Sequence, residues 1–229
     1  MRSLLQLLIF VPFFALSQEN EGKVWCEAGV SGKLTNDLTW GVDLSTRFGN
    51  YGLETFFPQA SLKYKVTKWF RPSIDYRLIG DRKYFDVPYS FSHRINFNAE
   101  FKHVIDRFTL KARIRYQFAF NRVTQNYDAE FDQAVRLKME GLYDIDKFFL
   151  SPVIAAEVFF DPNYGEFGQR FNKYRVFIGV DSDFKGPHSF SVGYLYDSKI
   201  NVPNIKRRHV LSLSYGYEIP FDSKKENKK

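Results

Sequence analysis

From residue 24 to residue 219 the chain alternates apolar and polar positions at a period of two, with almost no run at helical spacing. Phe91, Ile95, Phe97, Ala99 and Phe101 fall in one phase, and Ser92, Arg94, Asn96, Asn98, Glu100 and Lys102 in the other. The next segment sets Phe108, Leu110, Ala112, Ile114, Tyr116 and Phe118 against Thr109, Lys111, Arg113, Arg115 and Gln117. Further alternating stretches cover 135–140, 174–181, 190–197 and 211–219, with weaker ones at 24–32, 38–47, 59–67, 69–79 and 150–160. Many reach lengths of about 10 to 13 residues, closer to the 9–11 of a membrane-spanning strand than to the 5–6 of a globular one. Short connections (33–37, 67–68, 105–107, 144–147, 184–187) alternate with longer ones near 48–58, 80–90, 121–130, 161–170 and 198–208, as in barrels with short periplasmic turns and long external loops.

The expected fold is therefore all-β: an antiparallel, up-and-down transmembrane β-barrel of ten to twelve strands. Twelve is the preferred count. Eleven strands cannot return both chain ends to the periplasm, and single-chain bacterial barrels normally have an even number. The extra strand would lie within 48–58 or come from a division missed near the N-terminus.

Period-two alternation also fits a soluble lipocalin-like barrel with its apolar face inward. Strand length argues for lipid outside. So does the placement of Gly29, Gly41, Gly179, Gly193 and Gly216 in the polar phase, Gly141 being the exception, because small residues suit a crowded narrow lumen. Rings at segment ends (Trp69-Phe70, Phe148-Phe149, Phe159-Phe160) match aromatic girdles at two interfaces.

Composition sharpens this. Aromatic residues make up 18% of the chain, yet its mean hydropathy is only −0.36. Residues 1–17 read as a secretory signal peptide: Arg2, an apolar stretch from Leu4 to Phe14, and Ala15-Leu16-Ser17 before a cut ahead of Gln18. Cys26 is the single cysteine and is not preceded by a lipobox, so neither an intrachain disulfide nor a lipid anchor follows from it. Residues 18–221 then form the barrel and 222–229 a basic tail. The net charge of +7 does not indicate nucleic acid, because the cations alternate along strands instead of clustering, apart from that tail.

Ser214-Tyr215-Gly216-Tyr217-Glu218-Ile219-Pro220-Phe221 resembles the C-terminal signal of outer-membrane barrels, through Ser214, Gly216, Ile219 and Phe221. That resemblance implies the barrel-assembly machinery and outer-membrane lipid as partners. Trp25, the strand Arg113-Ile114-Arg115-Tyr116-Gln117, Arg136-Leu137-Lys138, and Pro152 followed by Glu157-Val158-Phe159 resemble a family of Gram-negative outer-membrane barrels known as domain of unknown function 2490. This second resemblance implies fold and location and brings no activity with it.

No catalytic, cofactor or metal motif stands out. Outer-membrane lipid hydrolases and acyltransferases place His two residues before Ser, whereas Ser92-His93, His188-Ser189 and His209-Val210-Leu211-Ser212 are spaced otherwise. No His or Cys pair has metal-ligand spacing.

The remaining candidate is the inward face. It gathers Arg71, Asp75, Arg77, Arg94, Glu100, Lys102, Lys111, Arg113, Arg115, Arg136, Lys138, Glu140, Glu157, Arg175 and Asp181. Arg94, Glu100, Arg113, Arg115, Arg136, Glu140, Glu157 and Arg175 are the expected lumen charge network. Counting across the turn at 105–107 sets Glu100 opposite Arg113, and the turn near 146 brings Arg136 toward Glu157. An unpaired charge in a narrow interior is costly, so cross-strand pairing that fills the lumen is the first reading. The expected function is a non-enzymatic outer-membrane component of otherwise unspecified role. The alternatives are a small channel or binding barrel for an anionic or amphipathic solute, and an outer-membrane lipid enzyme.

Overall fold

Each alternating segment becomes one strand of a single sheet. In a computed structural model describing residues 20–120, 133–146, 148–163, 168–182, 186–202 and 205–221, the order is β1 (Asn20–Lys33), β2 (Leu38–Gly49), β3 (Gly52–Tyr64), β4 (Phe70–Asp81), β5 (Ser90–Ile105), β6 (Phe108–Phe120), β7 (Gln133–Tyr143), β8 (Leu150–Phe160), β9 (Phe171–Ser182), β10 (His188–Lys199) and β11 (Arg207–Ile219). The signal segment 1–17 and the tail 222–229 lie outside the described residues.

Sequential strands pair antiparallel all the way round, and β1 closes on β11 in parallel. The barrel therefore has eleven strands among the described residues, not the preferred twelve, and its sheet is mixed where a wholly antiparallel one is expected. Both departures have one cause. An odd number of up-and-down strands leaves the first and last running in the same direction, so the closing ladder must be parallel and the two chain ends emerge at opposite rims. The ladder runs from Asn20↔Arg207 to Gly32↔Ile219 without interruption.

The supposed long loop at 48–58 is a tight hairpin. Gly49 pairs with Gly52, whose φ of +75° sits where a side chain would be strained, and β3 continues straight from it. The register slips there, since Arg47 faces Thr55 and Phe48 faces Leu53. Glu54 is left as the extra residue of a β-bulge, and it bonds Lys23 on β1. At the other rim Asp106 adopts a left-handed φ of 52° in the two-residue β5–β6 turn, a conformation Asp tolerates.

The apolar phase points outward. Met139, Ile154 and Ile178 are 62%, 59% and 58% exposed, and Val42, Leu62, Ile74, Phe97 and Leu211 share that face. A lipocalin-like interior is thereby ruled out. Ring pairs gather at both rims: Trp69 with Phe70 and Phe101 at the short-turn end, Phe56 with Tyr89 and Phe91 at the other. The buried set is largely polar and includes Asp75, Asn96, Asn98, Arg115, Arg136, Glu157, Lys173 and Asp197. This barrel has its ions inside and its hydrocarbon outside.

Candidate functional site

Because side chains alternate across a strand, residues that face each other in successive ladders form rows around the lumen wall. One row is charged at every position over nine consecutive strands. It runs Arg71 (β4), Glu100 (β5), Arg113 (β6), Lys138 (β7), Glu157 (β8), Arg175 (β9), Asp197 (β10), Arg208 (β11) and Glu21 (β1). Five cations thus alternate loosely with four carboxylates, and the acids serve as nodes.

Glu157 is the principal node. Its Oε1 accepts from Arg113 Nη2 at 2.9 Å and from Arg136 Nε at 3.1 Å. Its Oε2 accepts from Arg136 Nη2 at 2.8 Å and lies 3.6 Å from Arg175 Nη1. Asp197 is the second node, with Lys173 Nζ at 3.2 Å, Arg175 Nε at 3.3 Å and Arg208 Nη1 at 3.4 Å. The Lys173 side chain is fully buried. Arg175 thereby couples the two nodes. Glu140 holds Lys111 at 2.7 Å and Lys138 at 2.6 Å. On the far wall, Asp75 takes Arg115 at 3.0 Å and Asn98 at 2.9 Å, while Asn98 also accepts from Arg115 at 2.5 Å.

Aromatic faces absorb part of the cationic charge. The guanidinium carbons of Arg136 and Arg175 lie 4.5 and 4.9 Å from the Phe159 ring centre. Arg47 sits 4.2 Å over Trp25, and Arg77 4.3 Å over Phe57. A cation over a ring face is attracted by the ring's quadrupole, more strongly where water is excluded.

Seven of the eight residues expected in the network take part in these contacts or in the row: Glu100, Arg113, Arg115, Arg136, Glu140, Glu157 and Arg175. Arg94 faces Arg77 on β4. The partners differ from expectation in one case. Glu100 does stand opposite Arg113 in register, but Arg113 reaches two strands away to Glu157, and Glu100 takes Lys63 at 3.4 Å instead. Arg136 and Glu157 bond as expected although they are diagonal neighbours, since Lys138 is the residue facing Glu157. Sequence reading passed over Lys173, Arg208, Glu21, Lys23 and Glu54. The first four continue the inward phase beyond the segment limits chosen at 24, 174 and 211, so longer strands would have found them. Glu54 is placed by the bulge, which no alternation reveals.

The assembly-signal positions divide cleanly. Ser214 and Gly216 belong to the inward phase of β11, whereas Ile219 lies in the outward phase and Phe221 follows just past the strand. Three of the four histidines on the outer wall are hydrogen-bonded to a tyrosine one strand away: His93 with Tyr76 at 2.7 Å, His188 with Tyr215 at 2.8 Å and His209 with Tyr194 at 2.5 Å.

Below the charged row, toward the short-turn rim, the lumen wall becomes small. A cavity of about 290 Å³ is lined there by Val153, Ala155, Phe177, Ser191, Ser212 and Ser214, together with charged residues of the row above. The far end of the Phe177 ring lies against Gly179 and Gly193, where an added Cβ at either would come within 2.6 Å of it.

No curated protein matches the chain. A family model described as Protein of unknown function (DUF2490) matches residues 22–208, a span that takes in ten strands and the start of the eleventh, and the chain belongs to that family.

Proposed function

We propose that this protein is an outer-membrane β-barrel whose lumen is closed by its own charged side chains, and that it serves the envelope as a non-enzymatic component instead of a conduit. The observation that carries the reading is the inversion of polarity. An encircling belt of half-exposed Leu, Ile, Val, Phe and Met surrounds an interior of buried ion pairs. Water around such a belt would face an apolar surface far larger than soluble monomers expose, while lipid would match it. Strands of 11 to 16 residues are long enough to cross hydrocarbon at a tilt.

The short turns belong at the periplasmic side and the long connections outside. This orientation puts Phe221 at the periplasmic rim, where an assembly signal formed by Ser214, Gly216, Ile219 and Phe221 would meet the barrel-assembly machinery. It also fits export by residues 1–17 with cleavage after Ser17. The non-enzymatic reading draws on the positions of His93, His188 and His209, which spend their hydrogen bonds on tyrosines of the outer wall. A basic passage for an anionic solute is the weaker reading, because the lumen cations around Glu157, Asp197 and Glu140 are held by those carboxylates.

Two measurements test this. Membrane fractionation with an intact mass should find the protein in outer membranes, beginning at Gln18; recovery as a soluble periplasmic monomer overturns the placement. Reconstitution in planar bilayers should give no steady conductance; a persistent open channel in the parent protein overturns the closed lumen.

A further inference from the structure

Along the ladders of the barrel wall, cations repeatedly stand directly opposite cations. Arg77 faces Arg94, Lys102 faces Lys111, Arg113 faces Lys138, Arg115 faces Arg136 and Lys173 faces Lys199. Among the described residues no acid faces an acid in register. Like charges directly opposite each other destabilise a sheet, so the wall carries its excess of positive charge at a cost to the fold. At the cavity of about 290 Å³ that excess is explicit. Arg113, Arg136 and Arg175 share Glu157, and Lys111 and Lys138 share Glu140, which sets five cations on two carboxylates. Asp197 also takes Arg175, but it holds Lys173 and Arg208 as well and removes none of the surplus. Asp181 is the remaining acid of the lining, and the cations still outnumber the acids when it is included. It stands six positions along β9 from Arg175, roughly 20 Å of strand. Arg113 spends Nη2 on Glu157, while its Nε is buried with no hydrogen-bond partner.

We infer that this cavity is a binding site for a small phosphate monoester, whose charge answers the surplus and whose organic body answers the rest of the lining. The phosphoryl group would sit against Arg113 and Lys138, the facing pair on β6 and β7, and give the Arg113 Nε–H an acceptor. Lys138 donates to Glu140 and has further ammonium protons to give. A phosphate monoester carries about −1.5 to −2 charge at neutral pH and three strong acceptor oxygens; a carboxylate brings less of both. Phe177, Leu195 and Val153 offer an apolar side to a compact body. The volume is at the lower end of ligand-pocket sizes, which limits the guest to a small molecule. The inference rests on the closed lumen proposed above: the anion is held among the wall's own ions and not passed through, so it adds to the closure.

The experiment is calorimetric titration of the folded mature barrel, in non-ionic detergent and phosphate-free buffer, with phenyl phosphate, inorganic phosphate and benzylamine. Folding of every variant is checked beforehand by faster electrophoretic migration of unboiled sample. Phenyl phosphate should bind saturably at one site and more tightly than inorganic phosphate, and benzylamine should not bind. Lys138→Gln should weaken phenyl phosphate roughly tenfold or more, the loss of one hydrogen bond to a charged group; Lys111 remains on Glu140 in that variant. Lys102→Gln removes the same charge from outside the cavity lining and should leave the affinity nearly unchanged. Ser191→Phe, which fills the space and keeps every cation, should abolish binding. Should Lys138→Gln not fold, Ser191→Phe and the ligand comparison still decide. No saturable binding of phenyl phosphate, equal or tighter binding of inorganic phosphate or benzylamine, unchanged affinity in Lys138→Gln or Ser191→Phe, or equal losses in Lys138→Gln and Lys102→Gln overturns the inference. The two readings fail separately: an open channel in the parent overturns the closed lumen, whereas a non-conducting barrel that does not bind phenyl phosphate overturns this site alone.

Discussion

Three guanidinium groups converge on Glu157, from Arg113 on β6, Arg136 on β7 and Arg175 on β9. Removing that one charge leaves three cations in a space where the Glu157 and Arg136 side chains are only 7% and 10% exposed. Breaking a buried pair by deleting one partner costs about 3–5 kcal/mol, chiefly from the uncompensated charge that remains. Glu157→Gln should therefore lower urea-unfolding stability by about that amount. Glu100→Gln should cost about 0–1 kcal/mol, since its partner Lys63 is 41% exposed and water screens the pair. Asp86→Asn in the exposed β4–β5 loop is the neutral reference. Equal losses for Glu157→Gln and Asp86→Asn would falsify the nodal role of Glu157. The sequence-level expectation treats Glu100 and Glu157 alike, because both lie in the inward phase opposite a cation. What separates them is depth. Glu157 sits where three strands' arginines can reach it, and Glu100 sits toward a rim. Alternation reports the face of a residue and not its height in the barrel.

Phe177, Gly179 and Gly193 form the most tightly fitted piece of β9 and β10. A Cβ on Gly193 would come within 2.5 Å of the Phe177 ring and 2.6 Å of the Ile178 carbonyl oxygen, and one on Gly179 would meet the Val192 carbonyl oxygen at 2.5 Å. Gly193→Ala should destabilise by about 1–3 kcal/mol, the usual cost of overpacking. Phe177→Ala in the same chain should recover part of that loss, because it removes the ring but not the carbonyl contact. A double-mutant cycle on unfolding midpoints measures the coupling, and strict additivity would sink the steric account. At this scale the sequence is most legible. The polar-phase placement of both glycines and the β5–β6 register can be read from alternation and a two-residue turn. The β7–β8 register is harder to read, because the connection between Tyr143 and Leu150 is longer than a tight turn, with Phe148 N–H donating to the Ile145 carbonyl. That shifts pairing by two positions without exchanging faces, and long Arg136 spans the resulting diagonal. The tight hairpin at Gly49–Gly52 was illegible for another reason. Asn50-Tyr51 next to Gly52 reads as loop composition, and only the closing ladder discloses that both flanks are strand.

At the scale of the barrel, the eleven strands among the described residues put Asn20 at the long-connection rim and Ile219 at the short-turn rim. In the proposed orientation a peptide tag placed just before Asn20 should be reached by antibody on intact cells, and one placed after Phe221 only after the outer membrane is permeabilised. Accessibility of both tags from the same side would contradict the parity. The charged row should also make the folded barrel resist detergent. Unboiled sample should run ahead of boiled sample on electrophoresis, and the Glu157→Gln variant should lose that difference at a lower temperature than the parent. Deletion from Phe221 onward should slow appearance of the fast-migrating form; an unchanged rate would remove the C-terminal signal from the account while leaving the fold intact.

The parallel ladder between β1 and β11 also fixes which cyclic rearrangements of the gene can work. In an even-stranded barrel the two ends meet at one rim, and a few residues can join them so that new termini may be cut elsewhere. Here the end of β11 and the start of β1 are separated by the full height of the wall, and parallel neighbours can be linked only by a crossover of a dozen or more residues. Such a linker would have to pass through a lumen occupied by Glu157, Asp197 and their cations, or along the apolar outer face with its backbone amides unpaired. Circular permutants with short joins should therefore fail to close, whichever loop is opened, and the natural order of strands is the single cyclic order that this seam permits.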